Sequence, residues 1–207
     1  AAVAASLREP AGTFASVAIG TLNILESLRR SRLPARLFVA GSVAMFGDAR
    51  GATLAEDSPV LPGDPYGLAK ATVRALVAQY RVLHGVHACT GILANHESPL
   101  RPERFVTQKV VRAACRIAAG DAGPLVLGDL SVERDWGWAE EYVAAMHAQL
   151  NHDEPEDVVI ATGVTLPLEA FVAAAFGRLG LDWRRHVVRD EGLVRPGEPR
   201  VQRIDPS

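Results

Sequence analysis

Apolar positions follow two rhythms along this chain. From Leu68 to Val82 they recur at helical spacing, so Tyr66 to His84 reads as a long central helix. The same spacing predicts a helix from Thr13 to Arg30, with Val17, Leu22, Leu25 and Leu28 apolar and Arg29-Arg30 closing it. Further helices are expected over Phe105 to Ala119, Trp138 to Leu150 and Pro167 to Leu179. Gly120-Asp121-Ala122-Gly123-Pro124 stops the first of these three. Tyr142, Val143, Met146 and Leu150 form the apolar face of the second. Leu166-Pro167 opens the third. Between the helices lie short, unbroken apolar runs, at Arg36 to Gly41, His87 to Ala94, Leu125 to Leu127 and Val158 to Ala161, with Arg184 to Val188 as a last strand. Asp48 to Pro62 is a loop rich in Gly, Asp and Pro. Strands alternating with helices argue for an α/β fold with a mainly parallel sheet.

Composition narrows the class. The 207 residues are 48% hydrophobic and 22% charged, as in an ordinary globular chain. The net charge of -2 and the absence of a basic patch argue against nucleic acid as a partner. No stretch reads as a membrane span, and the Ala-rich start lacks the basic and apolar regions of a signal peptide. Cys89 and Cys115 both lie among apolar residues and read as buried free thiols in a reducing cytoplasm. No spacing suggests a metal site.

The candidate chemistry sits at the head of the central helix. Tyr66 and Lys70 are four residues apart, so a helix stacks them on one face. A cation near a phenol favours the phenolate, which lets a tyrosine exchange a proton with a substrate hydroxyl. Ser42 follows the apolar run Phe38-Val39-Ala40-Gly41, where a strand of an open sheet delivers residues to its carboxyl edge.

Ser42 with Tyr66-x-x-x-Lys70 resembles the catalytic set of the extended short-chain dehydrogenase/reductase family. One branch, the GDP-mannose 4,6-dehydratases, is resembled over most of the chain. The motifs are Asn95-His96-Glu97-Ser98-Pro99, Arg104-Phe105-Val106-Thr107-Gln108-Lys109, Leu127-Gly128-Asp129-Leu130, Arg134-Asp135-Trp136-Gly137, and Asp153-Glu154-Pro155-Glu156-Asp157 leading into Val159-Ile160-Ala161-Thr162-Gly163. The resemblance implies an incomplete Rossmann-like, doubly wound, mainly parallel sheet with helices on both faces and a small C-terminal substrate-binding part. Residues 1–94 would be the C-terminal portion of a cofactor domain carrying the catalytic residues. Residues 95–207 would be a mixed region, mainly nucleotide-sugar binding.

The resemblance also implies roles. Tyr66 would deprotonate the hydroxyl at C4 of a GDP-hexose while Ser42 hydrogen-bonds the same oxygen. Lys70 would lower the Tyr66 pKa, and Tyr66, Lys70 and Ala40 would meet the cofactor, NADP or NAD. Asn95, Lys109, Arg134, Arg195 and Glu198 would hold the nucleotide diphosphate-sugar, and a homo-oligomer is the default. A Gly-x-Gly-x-x-Gly loop, which holds a dinucleotide pyrophosphate at a helix N-terminus, is found nowhere in the chain. Aligned with the family the chain starts late and stops early, and it is expected to be a fragment or a natural truncation.

One substitution bears on the reaction. In Ser42-Val43-Ala44-Met45-Phe46-Gly47, Ala44 stands where the family has the glutamate that removes the C5 proton. Glu56, Asp57 and Glu97 are alternative bases. His96 is expected to be structural, and Trp136 and Trp138 to pack rather than stack on a base. A nucleotide-sugar epimerase or ketoreductase needs Ser42, Tyr66 and Lys70 but not the glutamate, and a non-catalytic nucleotide-sugar-binding subunit needs none of them.

Overall fold

A parallel sheet of three strands organises the chain. In the computed structural model, which describes residues 3–194 and 197–207, the strands are β1 (Leu37–Ala40), β3 (Ala88–Leu93) and β7 (Val158–Ile160), in the order β1-β3-β7. Val39 pairs with Thr90, and Gly91 with Val158. All six residues of β3 are buried, as expected for a central parallel strand covered on both faces.

Helix α4 (Pro65–His84) lies against this sheet. Asp64 caps its start by accepting a hydrogen bond from Gly67 N at 2.9 Å, and Pro65 needs no partner at the first position. Gly85, at φ 61°, ends the helix in a left-handed turn. Two short helices, α1 (Val3–Arg8) and α2 (Pro10–Phe14), precede a π-helical turn over Ala15–Ile19 and α3 (Gly20–Ser31). Leu25 of α3, Val73 and Val77 of α4 and Ala88 of β3 share one buried cluster. On the opposite side Gln149 of α6 (Ala139–Asn151) donates to the Thr90 carbonyl at 3.2 Å. Gly91 leaves room there, because a β-carbon would meet the Phe38 ring at 2.5 Å. Asp157, just before β7, binds Arg74, Arg81 and the amide of Thr90 on β3, which locks α4 to the sheet.

The second half adds β4 (Asn95–Glu97), α5 (Val106–Ala118), β5 (Leu125–Leu127), β6 (Glu133–Trp138), β8 (Thr165–Pro167), α7 (Leu168–Gly177) and β9 (Val187–Arg189). β4 pairs in parallel with β6, and β6 antiparallel with β8. β5 pairs with β9. Two-residue strands β2 (Thr53–Leu54) and β10 (Arg203–Ile204) join in parallel and bring the end of the described chain beside the 48–62 loop. Val110, Leu127, Leu130, Val172 and Phe176 centre this half's core.

Four expectations are corrected. The helical run Pro10–Ser31 is, by length and composition, long and apolar enough to cross a membrane, contrary to the reading of the sequence. Cys89 is buried, but Cys115 is exposed because it lies on the outer side of α5. Val143 is 59% exposed, and Gln149, held by Thr90 and Glu156 carbonyls, takes the buried place on α6. Trp138 is 43% exposed at the end of β6, whereas Trp136 packs on Phe171 with ring centres 5.8 Å apart.

Candidate active site

Ser42 follows the carboxyl end of β1 and caps a short 3-10 turn, Val43–Phe46, by accepting a hydrogen bond from Ala44 N at 3.2 Å. Gly67, next to Tyr66 on α4, packs on that turn. A β-carbon at Gly67 would lie 2.5 Å from the Ala44 carbonyl oxygen, so only glycine lets the helix approach this closely. Gly41 behaves likewise toward β3, where a β-carbon would meet Gly91 O and Thr90 Cγ2 at 2.8 Å. Close backbone packing thus brings the turn after β1 to the first turn of α4, with Ser42 beside Tyr66.

Lys70 lies one helical turn after Tyr66. Its Nζ donates to the Ala40 carbonyl at 2.5 Å and stands 5.6 Å from the centre of the Tyr66 ring. Burial holds the Lys70 pKa below its ordinary value. Burial also raises the Tyr66 pKa, and it outweighs the Ser42 side chain, which hydrogen-bonds the phenol and favours its ionised form. The negative charge of Asp64 adds to the rise, and the positive charge of Arg101 opposes it. The Tyr66 pKa is thus raised, not lowered as expected. Spacing set the two side chains side by side, but desolvation dominates the phenol.

Arg101 was not among the residues singled out from the sequence. It donates to the His96 carbonyl, pairs with Glu97 Oε1 at 2.8 Å, and lays its guanidinium 4.0 Å from the centre of the Phe105 ring. Thr107, buried in α5, also hydrogen-bonds Glu97. Glu56 accepts from Val159 N on β7 at 2.6 Å, and Asp57 is exposed. Glu56 and Glu97, two of the alternative bases, are thus held by other groups. His96 stacks on Tyr142 at 4.8 Å and its Nδ1 lies 3.0 Å from the Ala94 carbonyl.

The expected substrate residues group around β4, β6 and α5. Asn95 Nδ2 donates to the Asp135 carbonyl at 3.3 Å. Arg134 pairs with Glu198 at 3.1 Å. Lys109 Nζ donates to the Val126 carbonyl at 2.6 Å. Arg195 lies outside the described residues. Beneath them Asp135, fully buried, accepts from the amides of Thr162 and Gly163.

The GDP-mannose 4,6 dehydratase family model matches residues 1–207. The chain belongs to that family. GDP-mannose 4,6 dehydratase 2 of Arabidopsis thaliana is 40% identical over 95% of this chain and 53% of its own length. GDP-mannose 4,6-dehydratase of Sinorhizobium fredii is 39% identical over 99% of this chain and 59% of its own length. The chain thus spans just over half the length of these relatives. Among solved structures, RMD from Pseudomonas aeruginosa in complex with NADPH superposes with a TM-score of 0.90 at 22% identity, covering 99% of this chain and 69% of that one. The dTDP-glucose 4,6-dehydratase DesIV from Streptomyces venezuelae, with NAD bound, gives 0.88 at 19% identity, covering 100% and 62%. These likenesses show the Rossmann-like α/β fold. Within the family frame Ala44 occupies the 3-10 turn between Ser42 and Phe46, half-buried and carrying only a methyl group.

Proposed function

We propose that this chain acts on a GDP-hexose, GDP-mannose foremost, as a nucleotide-sugar 4,6-dehydratase with NADP as its nicotinamide cofactor. One observation carries the reading: Ser42, Tyr66 and Lys70 converge at the carboxyl edge of β1 within a chain that matches the dehydratase family from end to end. Residues 1–94 carry the cofactor-facing chemistry, and residues 95–207 mainly hold the nucleotide-sugar. The cytoplasm and a homo-oligomer complete the proposal.

The residues present fit the nicotinamide end of such a cofactor. The Lys70 amine is anchored at the Ala40 carbonyl beside Tyr66, and Ala40 is exposed at the end of β1. When bound, the cofactor supplies the acceptor for a hydride from C4 and its later return to C6. Tyr66 takes the proton from the C4 hydroxyl, and Ser42 holds the same oxygen. Lys70 fixes the geometry through Ala40. Asn95, Lys109, Arg134 and Arg195 supply donors to the diphosphate, for which guanidinium and ammonium groups are suited. Glu198 reads ribose hydroxyls.

The elimination step is the weak one. Ala44 offers a methyl group where a base is required, and a positioned base is worth about 10²–10⁴-fold. Ala44 therefore also favours a second reading, an epimerase or ketoreductase that uses only the redox set. Thermal-shift titration with GDP-, UDP- and dTDP-sugars tests the substrate class. A shift confined to GDP-sugars is expected; equal shifts, or none with GDP-sugars, would remove the assignment.

A further inference from the structure

We propose that Asp135 is a positioning residue, whose buried carboxylate clamps the strand holding the nucleotide-sugar to the sheet that carries Ser42. The inference rests on the GDP-hexose reading above. The site is built from two sheets. Ser42, Tyr66 and Lys70 gather at the end of β1, in the sheet β1-β3-β7, where Lys70 binds the Ala40 carbonyl. Asn95 and Arg134 lie on β4 and β6, in the sheet β4-β6-β8. β3 runs into β4 through Ala94, whose amide donates to the Ile160 carbonyl on β7 at 3.0 Å. Arg134 has no such covalent link, because β6 pairs with β4 and β8 rather than with a strand of the first sheet.

Asp135 supplies the missing link. It is fully buried, and its carboxylate accepts from Thr162 N at 3.1 and 3.0 Å and from Gly163 N at 2.8 Å. Two successive amides aimed at one carboxylate form an anion-binding nest, and Gly163 at φ 77° gives the left-handed turn it needs. Thr162 Oγ1 accepts from Val164 N at 3.0 Å and closes that turn. The turn lies close to the catalytic level. Ala40 pairs with Gly91, and Leu93 with Ile160, so Ser42, extended and two residues past Ala40, is level with Ile160. Ile160 is two strands away, about 10 Å across the sheet. Thr162 follows Ile160 by two residues, within about 7 Å of it. Toward the substrate side, the Asp135 carbonyl accepts from Asn95 Nδ2 at 3.3 Å, and the adjoining Arg134 pairs with Glu198 at 3.1 Å. One residue thus grips the first sheet with its side chain and orients a substrate side chain with its backbone.

Stability alone does not account for this carboxylate. Burying a charge is costly, and its hydrogen bonds largely offset that cost rather than exceed it. Apolar packing would join the sheets as well. What the carboxylate adds is direction, since charge-assisted bonds to two fixed amides hold β6 against sliding. A slip of β6 would carry Asn95 and Arg134 away from Ser42. Glu198 would travel with them, because Glu133 bonds the backbone of Arg200 and Gln202. The groups that hold the nucleotide would keep their mutual geometry. Only the span from the diphosphate to C4 would change, and a misplacement of about 1 Å can cost about 10²-fold.

The test is calorimetry on the full chain with GDP-mannose and with GDP. Wild type should bind GDP-mannose more tightly than GDP, and Tyr66→Phe should reduce that preference. Asp135→Asn keeps the volume but sets an amide group against the amides of Thr162 and Gly163. It should lose about tenfold of the preference and keep GDP affinity within about twofold, and Tyr66→Phe should then have no further effect, as for residues in one network. A merely structural Asp135 would lower the urea midpoint and leave both the preference and the Tyr66→Phe effect intact. That result overturns the clamp while the substrate reading stands. If Asp135→Asn does not fold, amide hydrogen exchange of wild type decides. GDP-mannose should slow exchange at Thr162 and Gly163 more than GDP does, and equal protection overturns the clamp. If wild type shows no preference for GDP-mannose, the substrate reading falls and the clamp's role falls with it.

Discussion

Lys70 Nζ donates a 2.5 Å hydrogen bond to the carbonyl oxygen of Ala40, the last residue of the strand that leads to Ser42. The ammonium is thereby fixed at the edge of the sheet, 5.6 Å from the centre of the Tyr66 ring. Its pKa is held down by burial. The unfolded chain then binds the proton more tightly than the folded one, and the charged amine opposes folding at pH values below its folded pKa. Lys70→Met removes that desolvation. At pH 7 its melting temperature should equal or exceed that of wild type, while the sugar oxidation of the proposed reaction should be lost. Calorimetry alongside an activity assay checks both halves, and a variant that melts clearly lower would show that the Ala40 contact outweighs desolvation.

Asp64 and Arg101 act on Tyr66 with opposite signs. Asp64→Asn keeps a good helix cap but removes the negative charge, so Tyr66 should ionise at lower pH. Arg101→Gln should move it to higher pH. Ultraviolet titration of tyrosinate, with Tyr66→Phe as the reference, reads the shift without relying on turnover. Asp64→Ala, which also loses the cap, should destabilise by about 0.5–2 kcal/mol.

Gly67 is a packing requirement. Gly67→Ala would press a methyl group onto the Ala44 carbonyl at 2.5 Å, where backbone meets backbone. We expect a loss of about 1–3 kcal/mol in denaturant unfolding, as for overpacked sites. A larger drop in turnover than in stability should follow, since the strain falls on the turn that carries Ser42.

Asp157 joins α4 to the sheet through Arg74, Arg81 and the amide of Thr90. Both arginines and the carboxylate are largely buried. Asp157→Ala leaves two buried cations unmatched and should cost about 3–5 kcal/mol. Urea unfolding measures it, and a loss below 1 kcal/mol would mean that water replaces the carboxylate.

Much of this architecture is legible in the residues. The helix at 65–84 and the buried strand at 88–93 follow from apolar spacing: Val73 and Val77 face the core although Leu68 and Val82, at the ends of the helical run, are exposed, and every residue of the strand is buried. β4 and β6 escape such a reading. Asn95-His96-Glu97 is three polar residues, and Glu133–Trp138 mixes charge with tryptophan, so neither shows an apolar run. They are strands because they pair with each other and with β8. The site divides in the same way. Ser42, Tyr66 and Lys70 carry a motif, but solvation of the phenol depends on the side chains that cover it. Arg101 reaches Tyr66 only through the fold, and no spacing in Arg101-Pro102-Glu103-Arg104 marks it. Cys115 sits among apolar letters that belong to the far side of its helix.

In the proposed reaction Tyr66 serves the oxidation of a GDP-hexose at C4, and Ala44 limits the later loss of water. The most direct measurement is rapid quench with mass spectrometry on the chain joined to the glycine-loop segment of a relative and supplied with NADP and GDP-mannose in deuterated water. Wild type should accumulate a 4-keto sugar with little loss of water and slow deuterium uptake at C5. Ala44→Glu should dehydrate about 10²-fold faster, and Tyr66→Phe should form neither product. If wild type and Ala44→Glu lose water at the same rate, Ala44 is not the limit and another residue is the base.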